Sequence, residues 1–215
     1  MWTWKNHNPF SATRVRPGKL PYLGNSFRIS DLVRRWHGAN YIGQIVGPHG
    51  TGKTTLSRAI ESFVQDRFGR VNWLTIRHRS LRTDSLGTTT NYRICHMESK
   101  SGSIRGLYVV DGIENLGLLH RWLLVQRCRA DMGGILITSH RKLAGIPVLA
   151  ELTPVNATLQ VIVRYLLGQW PYPDEVKAHF DASLVDAAFQ DAGGNLRESL
   201  MMLYDSFEDL ARKAA

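Results

Sequence analysis

The stretch IVGPHGTGKTTL, residues 45–56, decides how the rest of this 215-residue chain is interpreted. It contains the pattern G-x-x-x-x-G-K-[ST], with Gly47, Gly52, Lys53 and Thr54 at the fixed positions. Glycines let the backbone turn tightly and bring its N–H groups close to phosphate oxygens, and a helix that begins at the lysine adds the positive end of its dipole. The pattern therefore predicts a binding site for the phosphates of a nucleotide. The residues predicted to line it are Gly47, Pro48, His49, Gly50, Thr51, Gly52, Lys53, Thr54 and Thr55.

Two side chains of this loop have specific chemistry. The ammonium of Lys53 is expected to lie against the β- and γ-phosphates, and the hydroxyl of Thr54 is expected to complete a Mg²⁺ shell that keeps several waters. The context is the one that the pattern requires, because an apolar strand precedes it and an amphipathic helix follows. ATP and Mg²⁺ are the ligands that these residues predict.

Apolar and β-branched runs that alternate with helical patterns extend outward from the loop. This alternation predicts an α/β fold with a parallel sheet covered on both faces. The expected strands are 41–47, 71–78, 106–112, 135–140 and 147–154. After Gly168 the pattern is helical only, and its last helix carries one apolar stripe. The expected division is an N-terminal extension (1–40), a nucleotide-binding core (41–170) and a small helical lid (171–215).

The third expected strand has an acidic residue near its end. GLYVVDGIENL, residues 106–116, is an apolar strand that ends in Asp111, which is the Walker B pattern. A carboxylate at a strand tip can hold Mg²⁺ through water, opposite the hydroxyl of Thr54. The alternative is that Asp111 only caps the turn that follows it.

Composition limits the classes of function. No apolar run approaches the roughly 20 residues that span a bilayer, and the N-terminus lacks a signal-peptide pattern, so we expect a cytoplasmic protein without membrane contact. Cys95 and Cys128 have no metal-ligand spacing. The net charge of +9 is uneven, since residues 1–170 hold 23 of the 27 Lys and Arg but 9 of the 18 Asp and Glu. Such a basic body is compatible with a nucleic-acid partner, although solvated surface charge is the simpler explanation.

The motifs together resemble the AAA+ branch of the additional-strand P-loop NTPases. The phosphate loop, the Walker B strand, the polar strand ILITSH (135–140) and the C-terminal GGNLRE (193–198) carry the resemblance, which covers roughly residues 40–210. Origin-recognition, transposition-helper and signal-transducing (STAND) ATPases are the most similar subgroups. The resemblance implies a three-layer α/β/α fold with strand order 5-1-4-3-2 and the nucleotide at the carboxyl ends of the strands.

The resemblance also implies roles for single residues. Thr138 or Ser139 would sense the γ-phosphate from the fourth strand, and Arg197 of the sequence GNLR would act as a second sensor from the lid. Both positions have simpler explanations, namely strand termination and a surface arginine paired with Glu198 or Asp191. The residues implied to take part in catalysis are Lys53, Asp111, Glu114, Thr138 and Arg197.

Two positions depart from the family pattern. The family places a catalytic glutamate directly after the Walker B aspartate, and this chain has Gly112 there. Glu114 can replace it if the chain turns after Asp111, and otherwise Glu114 caps the next helix. The arginine finger of ring-forming relatives is represented only by Arg141 and Lys142, which can equally be solvated cations.

The sequence therefore favours an ATP-binding protein that is a slow ATPase or a nucleotide-dependent switch. It would act on a macromolecular partner, which is a nucleic acid, another protein or a second copy of the chain. Two alternatives stay open. One is a small-molecule kinase of the nucleoside or shikimate type, and the other is a nucleotide-binding module that does not hydrolyse.

Overall fold

A computed structural model describes residues 4–24, 27–76, 106–130 and 133–214. The strands are β1 (Ile42–Val46), β2 (Arg70–Thr75), β3 (Gly106–Asp111), β4 (Gly134–Ser139) and β5 (Val148–Glu151). The α-helices are α1 (Ala12–Val15), α2 (Ile29–Gly38), α3 (Lys53–Val64), α4 (Leu118–Ala130), α5 (Asn156–Gly168), α6 (Asp174–His179), α7 (Ala182–Asp191) and α8 (Leu196–Lys213). Two 3-10 turns cover Trp4–Asn6 and Ile113–Asn115.

The five strands form one sheet in the order β2-β3-β4-β1-β5, and every pairing is parallel. This arrangement confirms the predicted order 5-1-4-3-2. Every residue of β1 and of β4 is buried, as expected for central strands of a parallel sheet with both faces covered. Ile135 and Ile137 pack on one face with Leu124 of α4, while Leu136 faces the opposite way and is also fully buried.

The chain divides into two compact units. The sheet unit consists of Arg28–Gly47 and Ile60–Glu151, and the helical unit consists of Met1–Phe27, Pro48–Ala59 and Leu152–Ala215. The phosphate loop from Pro48 onward thus belongs to the helical unit, whereas its first residue, Gly47, belongs to the sheet unit. The sequence-based division at residues 40 and 170 stays a prediction.

The helical unit has its own hydrophobic core. Leu196, Leu200, Leu203 and Phe207 of α8 are buried in it, which is the apolar stripe expected from the sequence. The N-terminal segment joins the same core through Phe10. Asn8 fixes this segment to α8, since its Nδ2 atom donates to the Tyr204 carbonyl at 3.0 Å and to Glu208 Oε1 at 2.8 Å.

Two helix boundaries differ from the sequence-based expectation. The segment 173–194 forms α6 and α7 instead of one helix, because the Asp181 carboxylate accepts from the Leu184 N–H at 2.9 Å and starts α7 there. The sequence SDLVRRWHG (30–38) predicts a helix capped by Ser30 or Asp31, but α2 begins at Ile29 and has no side-chain cap. Asp31 pairs with Arg34 at 2.9 Å instead. Among the described helices, none has the length and apolarity needed to cross a membrane.

Candidate functional site

In the helical unit, the phosphate loop has the backbone that its glycines predict. Gly50 and Gly52 have φ angles of +72° and +87°, a region that other residues rarely adopt. Lys53 opens α3 and is only 8% exposed, and its Nζ atom donates to the Pro48 carbonyl at 2.7 Å. The hydroxyl of Thr51 donates to the same carbonyl at 2.9 Å. The loop therefore folds around a buried ammonium at a helix N-terminus, which is the chemistry that polyphosphate requires.

The remaining loop residues are placed as follows. Pro48 and His49 are exposed, and Thr54 and Thr55 are half-buried in the first turn of α3. A Cβ atom added at Gly52 would meet no heavy atom within 4 Å, so the loop is open at this glycine. The residues present thus fit a phosphate chain and a Mg²⁺ ion that has few protein ligands. No cluster of three or more metal-binding side chains occurs within the described residues.

Gly50 lies directly against the N-terminus of α8. A Cβ atom at Gly50 would lie 1.7 Å from Asn195 Oδ1, so only glycine fits. Asn195 is the N-cap of α8, and its Oδ1 atom accepts from the Arg197 and Glu198 N–H groups at 3.1 and 3.4 Å. Its Nδ2 atom donates to Glu198 Oε1 at 2.8 Å, so the Asn195 side chain is held at both its oxygen and its nitrogen by the first turn of α8. The first turn of α8 is thereby fixed beside the phosphate loop.

Arg197 is exposed in that first turn of α8. Its side chain makes no ion pair within the described residues, and Glu198 is occupied by Asn195. The alternative explanation of Arg197, a surface ion pair with Glu198 or Asp191, is therefore not seen among the described residues. A cation at a helix N-terminus is electrostatically unfavourable unless an anion is close, so the position is suited to an anionic ligand.

In the sheet unit, Asp111 and Thr138 are neighbours on adjacent strands. They are register partners at the ends of β3 and β4, and the Thr138 hydroxyl donates to Asp111 Oδ1. Thr138 is fully buried and Asp111 is half-buried. Ser139 faces the other way and donates to the Arg141 carbonyl at 2.8 Å. Of the two candidate sensor residues, Thr138 is the one that contacts the acid.

The chain turns sharply after Asp111, as the sequence analysis required for Glu114. Gly112 has a φ angle of +80°, and a Cβ atom there would lie 2.4 Å from the Ile76 carbonyl oxygen. A glutamate at this position would meet the same backbone atom, which explains the departure from the family pattern. The 3-10 turn that follows carries Glu114, and Arg121 fixes this turn by donating to the Glu114 carbonyl at 2.6 Å.

The Glu114 carboxylate contacts His140 and does not cap the next helix. His140 Nε2 lies 3.1 Å from Glu114 Oε1, and His140 Nδ1 lies 3.3 Å from the Gly47 carbonyl oxygen. Gly47 also donates its N–H to the Ser139 carbonyl at 3.2 Å. The first residue of the phosphate pattern and Glu114 therefore contact the same imidazole.

Sequence reasoning missed Gln44, a polar residue in the middle of the buried strand β1. Gln44 is fully buried, and its Nε2 atom donates to the carbonyls of Leu143 and Ile146 at 2.8 and 2.7 Å. Its Oε1 atom accepts from the Leu143 N–H at 2.9 Å. These bonds fix the segment that follows β4 and begins with His140. A glutamine inside an otherwise apolar strand was the available signal.

The same segment carries the two candidate arginine-finger positions. Lys142 pairs with Glu151 at 2.8 Å, and both side chains are largely exposed. Arg141 is exposed and makes no ion pair with the described residues. Six of the residues that make the body basic, at positions 77, 79, 82, 93, 100 and 105, lie outside the described residues.

Comparison with known proteins supports the fold. No family model and no curated protein matches the chain. Among solved structures, Drosophila ORC bound to DNA matches with a TM-score of 0.56 and 14% identity, over 96% of this chain and 60% of that one. AMPPCP-bound DnaA from Aquifex aeolicus matches with a TM-score of 0.52 and 16% identity, over 83% and 63%. A DNA replication initiation factor matches with a TM-score of 0.51 and 16% identity, over 90% and 69%.

The chain thus spans 60% to 69% of the length of these three structures. At such low identity the likeness concerns the fold. ORC and DnaA are AAA+ P-loop ATPases, and the five-stranded parallel sheet of this chain, with helices on both sides, matches the fold of that class. The chain therefore has the α/β fold of the AAA+ P-loop ATPases.

Proposed function

We propose that this protein binds ATP with Mg²⁺ and hydrolyses it slowly, as a nucleotide-dependent switch. The observation that carries the proposal is the phosphate loop itself, in which two left-handed glycines precede Lys53, whose side chain is buried at the start of α3. The AMPPCP-bound state of DnaA, which shares the fold, supports the assignment of a nucleotide.

Thr54 and Asp111 are the residues that we propose as Mg²⁺ ligands. When bound, Mg²⁺ neutralises charge on the phosphate oxygens and orients them for in-line attack. The Thr138 hydroxyl holds one oxygen of Asp111, which fixes the orientation of this carboxylate. Thr138 is thereby also the candidate for reporting the γ-phosphate.

Glu114 is the proposed general base. A base must lie within hydrogen-bond reach of the water whose proton it accepts. The left-handed turn at Gly112 places Glu114 just beyond the carboxyl end of β3, and its Oε2 atom is buried without a hydrogen bond in the described part of the chain. This oxygen is the one without a donor, and it would accept a proton from a water molecule that enters beside it with ATP.

The helices after β5 supply the proposed response to nucleotide. Asn195 packs on Gly50 of the phosphate loop and caps the helix that carries Arg197. A γ-phosphate on the loop would attract the Arg197 guanidinium. ADP lacks this phosphate and would therefore stabilise the contact less. ATP and ADP would then favour different positions of α8, which is how a switch operates.

Nucleic acid is the partner that we propose for this switch. The solved structures that share the fold include ORC bound to DNA and a DNA replication initiation factor. The net charge of +9 favours contacts with phosphates. Such contacts are tolerant of sequence and sensitive to salt, because they carry no base readout.

The test is phosphate release from ATP, measured for the wild type, Lys53→Ala and Glu114→Gln. Exposed Lys177→Ala and Glu175→Gln in α6 serve as matched controls. We expect slow release by the wild type and by both controls. Glu114→Gln should slow phosphate release by about a hundredfold or more while ATP still binds. Lys53→Ala should lose both ATP binding and phosphate release. Bound ATP that is not hydrolysed over hours would instead indicate a binding module, and a phosphorylated metabolite would indicate a kinase.

A further inference from the structure

His140 lies where three neighbouring strands end. It directly follows β4, which is flanked in the sheet by β1 and β3. Its Nδ1 atom contacts the carbonyl of Gly47 beyond β1, and its Nε2 atom contacts Glu114 beyond β3. One imidazole therefore joins the proposed base to the first residue of the phosphate loop.

The chemistry of the two contacts fixes which atoms are engaged. A carbonyl oxygen can only accept, so the Nδ1 atom carries the proton in the bond to Gly47. A second proton lies between Nε2 and Glu114 Oε1, because two bare lone pairs would repel at 3.1 Å. Oε1 is thus occupied by His140, and the carboxylate cannot rotate without losing this bond.

The other carboxylate oxygen is left for a different partner. Glu114 Oε2 is buried and accepts no hydrogen bond within the described residues. An acceptor in that state costs free energy until it gains a donor. A water molecule that attacks the γ-phosphate of ATP supplies such a donor. Its proton would move to Oε2 as its oxygen bonds to the γ-phosphorus, and the bond from that phosphorus to the β,γ-bridging oxygen would break, so that ADP leaves with that oxygen.

We propose that His140 is a positioning residue for Glu114. It holds Oε1 so that Oε2 is left for the attacking water, and its own ring is held by the Gly47 carbonyl. This inference rests on the proposed role of Glu114 as the base of ATP hydrolysis. The sequence alone marked His140 only as a neighbour of the sensor position.

Two amide variants separate the contacts of the imidazole. In His140→Gln, the side-chain NH₂ group lies near the place of Nε2 and can still donate to Glu114. In His140→Asn, the shorter amide reaches the place of Nδ1 and can donate only to Gly47. We expect His140→Asn to lower kcat roughly tenfold to a hundredfold with little change in KM, and His140→Gln to recover most of the rate.

A double variant tests whether His140 acts through Glu114. Adding His140→Asn to Glu114→Gln should slow phosphate release no further, because the base that His140 positions is already absent. Multiplicative losses would overturn the proposal, as would an unchanged kcat in His140→Asn or a His140→Gln variant as slow as His140→Asn. A purely structural role would lower thermal stability and raise KM in both amide variants.

A second readout does not depend on hydrolysis. The imidazole ¹⁵N resonances of His140, assigned by their absence from His140→Asn, should shift at Nε2 when Glu114 becomes Gln. If the wild type releases no phosphate but this shift is present, the proposed hydrolysis fails while the pairing stands. If the resonances do not change, the proposed positioning role is overturned whatever the rate.

Discussion

Gly112 is the residue that shows most clearly how local geometry governs this site. Its left-handed backbone and its closeness to the Ile76 carbonyl exclude any side chain. The chain therefore cannot carry a glutamate directly after Asp111, and the nearest acid is Glu114 on the next turn. In the sequence, the glycine permitted a turn here without requiring it, and the closeness of Ile76 is a tertiary contact with no sequence signal.

Gly112→Ala tests this account at the level of one residue, with Gly145→Ala as a matched control. Both glycines have φ angles near +80° (80° and 75°), but a Cβ at Gly145 would meet nothing within 4 Å. The left-handed backbone alone should cost each variant about 1–2 kcal/mol. Overpacking against Ile76 should cost Gly112→Ala roughly 1–3 kcal/mol more. Urea denaturation of both variants measures the difference, and equal losses would contradict the proposed clash.

The conformation of the loop that follows β1 was predictable because its residues are contiguous and its glycines stand at fixed positions of one pattern. Gly50, Gly52 and Lys53 have the conformations and burial that the pattern requires. The contact of His140 with Glu114 was not predictable, because the two residues follow different strands. Their separation in the sequence matches neither the helical nor the strand repeat. Gln44 was missed for the same reason, since its partners follow β4.

At the scale of elements, the strands were the easiest part to predict. β1 and β4 are short apolar runs rich in isoleucine. Such runs are typical of parallel strands that are buried on both faces. Helix boundaries were harder, since they depend on capping side chains. The break between α6 and α7 follows from the Asp181 cap, which competes with continued helix in a sequence that otherwise favours one long helix.

The Asp181 cap predicts how the stability of the protein depends on pH. The pKa of Asp181 is lowered from its ordinary 3.8, mainly by the hydrogen bond from the Leu184 N–H and then by that from Ser183. A lowered folded-state pKa gives stability that is present above the unfolded-state value and is lost as pH falls through the folded-state value. The advantage of the wild type over Asp181→Ala should therefore shrink as pH falls below about 4.

Urea unfolding at a series of pH values measures this effect. Asp181→Asn is the control, because asparagine caps helices well but does not titrate. If the unfolding free energies of wild type and Asp181→Ala stay parallel down to about pH 2, the carboxylate is not the capping group.

The contact between Gly50 and Asn195 joins the phosphate loop to α8, the helix that we propose responds to nucleotide. Asn195→Ala removes the cap of α8 and should cost about 1 kcal/mol. Asn195→Asp keeps the oxygen that accepts from the Arg197 and Glu198 N–H groups, so it should retain most of that stability. If α8 reports nucleotide, Asn195→Ala should also weaken the preference for ATP over ADP, measured by calorimetry. An unchanged preference would remove Asn195 from the switch.

At the scale of the whole molecule, the distribution of the chain between its units was the least predictable feature. The N-terminal segment belongs to the helical unit through Asn8 and Phe10, which contact residues near the opposite end of the chain. Pro9, Pro17 and Pro21 predict an irregular segment here, but no local sequence pattern identifies contacts with residues so far away in the chain. The fold class followed from the alternation of strands and helices. The packing of the N-terminal segment on α8 could not be predicted in this way, because it joins residues from distant parts of the chain.

The charge of the whole molecule predicts how it meets nucleic acid. A gel-shift series with duplex DNA should show binding at low salt that weakens steeply as salt increases, because released counterions drive the association. Unrelated sequences should bind with similar affinity, since the contacts are to phosphates. Absence of any retardation at low salt would exclude the proposed nucleic-acid partner without affecting the nucleotide site.

The central claim is that the loop following β1 holds the phosphates of ATP through Lys53. Titration calorimetry with AMPPCP and Mg²⁺ tests it most directly, because binding is measured without hydrolysis. The account predicts saturable one-to-one binding by the wild type and by the exposed-lysine control Lys177→Ala, and none by Lys53→Ala. Equal affinity of Lys53→Ala and wild type, or no binding by the wild type at all, would contradict it.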